Sequence, residues 1–221
     1  MSNTTQTIIS AALLGMVSML SCNTSSGNQS LKKEIAAGDS SNQQNTAADK
    51  DSASVIYFAG GCFWGTEHFF KQVKGVIATE VGFANGHTEH PTYKDVVQKN
   101  TGFAETVKVT YNPQTINLDL LLNLFFLTID PTSVNRQGND IGDQYRTGIY
   151  YTSDQQLSAI RERINAETAM HHKPIVVEVG PLENYYKAED YHQDYLEHNP
   201  GGYCHINPAL FKVAKDANQK K

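Results

Sequence analysis

From Val55 onward the apolar residues of the chain follow two alternating rhythms. Val55-Ile56-Tyr57-Phe58-Ala59 is a continuous β-prone run, whereas Phe69, Phe70 and Val73 recur at helical spacing before Gly75. The pattern predicts a strand over 55–59, a helix over 63–74 and a second strand over 76–81. A short helix over 93–98 then precedes a strand over 105–111, where Thr106, Val107, Val109 and Thr110 supply the β-branched residues. Asn117 offers an N-cap side chain to an apolar helix over 118–127. After a polar loop over 130–145 comes a strand over 147–151. Ser153 with Gln156 three residues on reads as a capping box for a helix running to about Met170. Pro174 closes that region, and 175–179 is the last clear strand.

Strands alternating with crossover helices predict an α+β domain, one sheet with helices packed on it. With 221 residues the chain has room for one such domain and extra segments. The extra segments come first. Residues 8–20 form an apolar stretch, short for a bilayer span and well sized for a signal-peptide core. It ends in Met19-Leu20-Ser21-Cys22, which resembles the lipobox of bacterial lipoproteins and implies cleavage before Cys22, lipid on that cysteine and a membrane anchor. Met19 in place of a branched residue, and the lack of Lys or Arg in residues 1–7, depart from that pattern. From 23 to about 52 the chain is Ser, Asn, Gln, Ala, Lys and Asp with little to bury, which predicts a disordered tether. The expected organisation is a signal peptide over 1–21, a tether over 22–52 and a catalytic domain over 53–221, exported to the cell envelope.

Composition narrows the function. The net charge is −5 and no basic run appears, which gives nucleic acid nothing to bind. Three cysteines are too few for a disulfide-stapled scaffold, and Cys62 and Cys204 lack the spacing of a metal finger. Such a pair fits redox chemistry better than cross-linking.

The chemistry centres on Gly61-Cys62-Phe63-Trp64-Gly65, where a strand hands over to a helix. A thiol there meets unpaired backbone N–H groups and the positive end of the helix macrodipole, so a lowered pKa is expected. Phe63 and Trp64, the only tryptophan, would make an apolar wall beside the sulfur. The same residues also fit a buried, inert cysteine among core aromatics. The long loop carries Asp130, Asn139, Asp140, Tyr145 and Arg146, a polar set too specific for slack chain.

GCFWG resembles the active-site signature of the A-type peptide methionine sulfoxide reductases. Four further blocks follow in the family's order: Pro91 to Val97, Thr101 to Glu105, Arg136 to Arg146, and Ala188 to Cys204. The resemblance spans about residues 54 to 206. It implies a ferredoxin-like βαβ core, a mixed sheet with helices packed on it, and a long irregular C-terminal segment. It also implies reduction of methionine S-sulfoxide, free or within proteins and peptides. In that reading Cys62 is the nucleophile, Glu105 the proton donor, Tyr93 and Tyr145 hold the oxygen, and Asp140 orders the pocket. Phe63 and Trp64 contact the substrate methyl, Cys204 resolves the sulfenic acid left on Cys62 as a disulfide, and a thioredoxin-type dithiol reopens it. No bound cofactor is implied, and a monomer is expected. Phe103 stands where the family has histidine, which bears on how Glu105 is oriented.

Three other functions compete on the residues. A thiol peroxidase also needs an activated and a resolving cysteine, though not the aromatic wall. A non-catalytic lipoprotein that binds oxidised peptides needs neither cysteine. A metal site from His192, His198, Cys204 and His205 matches no common zinc spacing.

Overall fold

The computed structural model describes residues 53–219. The predicted signal peptide, the tether and Cys22 lie outside the described residues. The domain opens with β1 (Ser54–Gly60), α1 (Phe63–Lys71), β2 (Val76–Ala84), α2 (Tyr93–Gln98), β3 (Ala104–Tyr111) and α3 (Leu118–Thr128). A two-stranded ribbon follows, β4 (Arg136–Gln137) and β5 (Asp140–Ile141), then β6 (Thr147–Tyr151) and α4 (Asp154–Met170). The C-terminal part holds β7 (Glu178–Pro181), β8 (Tyr185–Lys187), α5 (Tyr195–His198) and α6 (Ala209–Asp216).

The main sheet runs β7-β6-β1-β3-β2-β8. Its four inner strands β6, β1, β3 and β2 pair antiparallel, with α1 and α3 as the crossovers, which is the ferredoxin-like arrangement. β7 joins β6 in parallel and makes the sheet mixed, while β8 adds to β2 in antiparallel register. The core lies between the sheet and the helices. Phe58 on β1 stacks between Phe70 of α1 and Phe125 of α3, with ring centroids 4.9 and 4.7 Å away. All three rings are fully buried, which removes on the order of 2 kcal/mol of apolar surface each from water.

Most predicted elements lie where the pattern puts them, and Asn117 caps α3 by accepting from the Leu120 N–H. Four details differ. Helix α1 stops at Lys71, not 74, because the chain must turn through Gly75 at φ +106° to enter β2. Strand β2 continues to Ala84, three residues past its expected end, to stay paired with β3 down to Ala104. The last strands are Glu178–Pro181 and Tyr185–Lys187 rather than 175–179. The capping box is absent. The Ser153 side chain makes no cap bond, and Gln156 instead accepts from Thr152 N and donates to the Val55 carbonyl of β1 at 2.6 Å.

Candidate active site

Strand β1 ends in Gly60, and Gly61 at φ +83° turns the chain so that Cys62 becomes the residue before the first turn of α1. That turn is what exposes a sulfur to unpaired helix N–H groups. Cys62 is nevertheless 6% exposed. Burial, and then the nearby Glu105, push its thiol well above the ordinary range, and the Trp64 N–H facing the sulfur does not reverse this. The expected depression of the Cys62 pKa is therefore overturned in the resting site. The helix end pulls as predicted, but desolvation of a buried thiolate outweighs it.

Glu105 comes from the second position of β3, opposite Phe83 of β2, and its side chain is buried against the start of α1. Its Oε2 accepts the Phe63 N–H at 3.1 Å, which ties the carboxyl to the residue after Cys62. Burial raises it to about 8, against the downward pull of that N–H, so it is protonated at neutral pH. Phe103, two residues before it, is fully buried. That ring is in the core, edge-on to Tyr186 at 5.7 Å, and the hold on Glu105 comes from α1.

Tyr93, at the start of α2, and Tyr145, at the end of the loop, are half-buried beside this pair. Burial and then Glu105 lift Tyr93 to about 12; the same two causes, followed by Tyr93 itself and Cys62, push Tyr145 well up. Both phenols are thus neutral donors. Asp140 accepts from the Tyr203 hydroxyl at 3.1 Å and is raised by burial. Phe63 is buried between Phe83 and His192, while Trp64 is half-buried and stacks on Tyr195 with centroids 3.7 Å apart. Cys204 is a free thiol whose Sγ lies 2.9 Å from where a Cβ on Gly65 would be, three residues along the chain from Cys62.

Cys62, Phe63, Trp64, Tyr93, Glu105, Asp140, Tyr145 and Cys204 are thus gathered around the start of α1. Several contributors had no part in the sequence reading of this site, where His192 stood only in the rival metal set. His192, 2% exposed, accepts the Trp64 indole N–H on Nδ1 at 3.2 Å and packs against Tyr93 at 4.4 Å. Glu67, a turn beyond Phe63, holds the Asp194 N–H at 2.9 Å and fixes the returning chain to α1. Gln137 bridges Asp130 N and O across the loop and packs beside Gly61. The block Ala188 to Leu196 contains His192 and Asp194, but no local spacing says that they return to α1. Among the described residues no three acidic, histidine or cysteine side chains gather as a metal site. The set His192, His198, Cys204 and His205 therefore does not converge.

A sulfur that can be oxidised, a second sulfur lying against the first turn of the same helix and a carboxyl kept protonated beside the first define a thiol oxidoreductase with its own proton donor. Residues 54–221 match the family model described as peptide methionine sulfoxide reductase. Peptide methionine sulfoxide reductase MsrA of Clostridium perfringens is 56% identical over 151 residues, 68% of this chain and 96% of that protein. MsrA of Lachnoclostridium phytofermentans is 50% identical over 163 residues, 74% of this chain and 98% of its own. Among solved structures, Mxr1 from Saccharomyces cerevisiae in reduced form is similar with a TM-score of 0.67 at 38% identity, covering 70% of this chain and 91% of that one. Methionine sulfoxide reductase A of Corynebacterium diphtheriae has a TM-score of 0.65 at 40% identity, covering 69% and 77%. The chain belongs to the peptide methionine sulfoxide reductase family, and its reaction is that of a peptide-methionine (S)-S-oxide reductase.

Proposed function

We propose that Cys62 attacks the sulfoxide sulfur while Glu105 protonates the departing oxygen. The observation that carries this is the bond from Phe63 N–H to a buried, protonated Glu105, which fixes an acid beside the thiol. The step balances as a two-electron transfer. The attack joins the Cys62 sulfur to the substrate sulfur; that bond and the substrate S–O bond then break as the oxygen passes to Cys62, and the thiol proton ends on that oxygen as a sulfenic acid. Because burial keeps the resting thiol protonated, Cys62 loses its proton only as the substrate oxygen gains one through Glu105. Tyr93 and Tyr145 donate hydrogen bonds to that oxygen, and Asp140 orders the pocket through Tyr203. Trp64, backed by Phe63, meets the substrate methyl. Exchanging methyl and oxygen would put a polar atom against aromatic carbon, which selects the S epimer.

Cys204 then attacks the sulfenic sulfur, water leaves, and a Cys62–Cys204 disulfide forms. A thioredoxin-type dithiol returns both thiols by exchange. Access favours this, since Cys204 also lines an open groove with His68, Leu196, Pro200, Pro208 and Phe211. The client is oxidised methionine in proteins, and the outcome is repair.

The enzyme is read as exported and lipid-anchored through Cys22. The apolar stretch 8–20, the Met19 to Cys22 sequence and the polar tether support this, and the family match begins only at residue 54. Replacing Cys22 with alanine is expected to release the protein from membranes and abolish palmitate labelling; a wild-type chain that takes no label would end the idea.

The reaction is tested with separate S and R epimers of a methionine sulfoxide peptide and a dithiol. Wild type is expected to turn over the S epimer alone, and Cys62→Ser neither. Turnover by Cys62→Ser would remove Cys62 as nucleophile. Fast consumption of hydrogen peroxide with no sulfoxide reduction would move the site to a peroxidase.

A further inference from the structure

His205 follows Cys204 and has no part in the steps proposed so far. Both of its ring nitrogens are buried without a hydrogen-bond partner. Buried polar atoms are nearly always paired, and an exception at a reactive centre asks for a chemical reason. The ring is held in a slot that three glycines leave open. An ideal Cβ on Gly61 would lie 3.4 Å from His205 Cε1, and one on Gly138 would lie 3.1 Å from His205 Cβ. A Cβ on Gly65 would lie 3.5 Å from both Cε1 and Nδ1, and 2.9 Å from Cys204 Sγ. Imidazole and resolving thiol therefore converge on one point over α1, beside Cys62.

We propose that His205 relays the proton of the disulfide-forming step, taking it from Cys204 on one ring nitrogen and releasing one from the other to the sulfenic oxygen. The Cys204 S–H and Cys62 S–O bonds break, the disulfide and water form, and imidazole returns to neutrality in its other tautomer. No external oxidant or reductant enters. A relay of this kind requires an imidazole that is neutral at rest, and burial supplies this by pushing His205 down to about 4, against an opposing pull from the Gly60 backbone that faces the ring too loosely to pair with it. The Cys204 thiol needs the help, because burial raises it and it donates only a long 3.7 Å bond to the Ile206 carbonyl. Of the titratable and charged groups near the slot, Cys62 precedes α1, His68 shares the open groove with Cys204, Asp140 bears on both thiols, and Tyr203 lies beside Gly138. Arg136 donates to the Gly138 carbonyl, and Asp140 is taken by Tyr203.

The inference rests on Cys204 as the resolving thiol, and the test separates the two. Single turnovers are followed in wild type, His205→Gln and His205→Gly, scoring methionine formed, sulfenic acid trapped and disulfide formed. Methionine formation is expected to stay within about twofold, which also reports a folded site, while disulfide formation slows about a hundredfold. Imidazole added to His205→Gly should restore the second step, and its rate in the variants should climb with pH where wild type is flat. Wild-type disulfide rates in both variants would overturn the relay. So would slowing with no imidazole rescue and an unchanged pH profile, which is the signature of a residue that only seats the tail. A wild-type enzyme that forms no Cys62–Cys204 disulfide after one turnover would overturn the Cys204 reading and this one with it.

Discussion

Glu105 is the residue at which stability and chemistry pull apart. The carboxyl titrates near 4.5 when solvated and near 8 in the fold, with burial the main cause. Between those values the folded chain holds a proton that the unfolded chain has lost. Stability therefore falls as pH rises through that window and levels off above it. The full effect is on the order of 5 kcal/mol against the fold at the alkaline end. Glu105→Gln keeps an acceptor for the Phe63 N–H and removes the titration. It is expected to melt at the same temperature as wild type near pH 5 and several degrees higher near pH 8, while its first-step rate falls by about a hundredfold or more. Equal melting at both pH values would place the carboxyl in a solvated setting; an unchanged single-turnover rate would end its role as the acid. Wild-type activity should decline above about pH 8 as Glu105 ionises. At this scale the sequence was informative about identity at both residues, but at Cys62 not about environment. Cys62 and Glu105 are legible from their motifs. The direction of the Cys62 shift is not, because the helix-end pull is local whereas the burial that outweighs it is contributed by distant chain.

The same division appears one level up. Strands and helices with a continuous apolar face, such as β1 and α3, follow from their own residues. Features built by partners far along the chain do not. Ser153 and Gln156 have the spacing of a capping box, yet the glutamine side chain is claimed by the Val55 carbonyl, 101 residues away, and by Thr152 N. It serves as a strut between α4 and the first strand. Trp64 likewise looks like a local wall residue, but its position is set by His192 and Tyr195 from the C-terminal segment. The strut makes a discriminating prediction. Gln156→Ala should cost about 1 kcal/mol by leaving the half-buried Val55 carbonyl and the Thr152 N–H without their partner, whereas Ser153→Ala should stay within about 0.5 kcal/mol. Denaturant melts of the two variants decide it, and a larger loss from Ser153→Ala would restore the cap reading.

For the whole molecule, the first strand among the described residues lies inside the sheet rather than at its edge. β1 pairs with β3 on one side and β6 on the other, and every residue from Ile56 to Gly60 is buried. The fold therefore depends on residues that begin at Ser54, where the family match also begins. What precedes them is proposed above to be a signal and a tether, and the fold from Ser54 onward gathers the site's residues from its own elements. A chain beginning at Ala53 should accordingly match the full-length protein in melting temperature and in turnover of a soluble sulfoxide peptide with a dithiol. One beginning at Gly61 should not fold, since it would lose both central ladders together with Phe58, the ring between α1 and α3. The two shortened chains differ by eight residues, 53–60. Any gradual loss of activity along that interval would mean that β1 can be replaced by other chain. If the chain beginning at Ala53 lost turnover while keeping its melting temperature, residues 1–52 would have a part in the reaction, and the tether would have to be read as part of the enzyme.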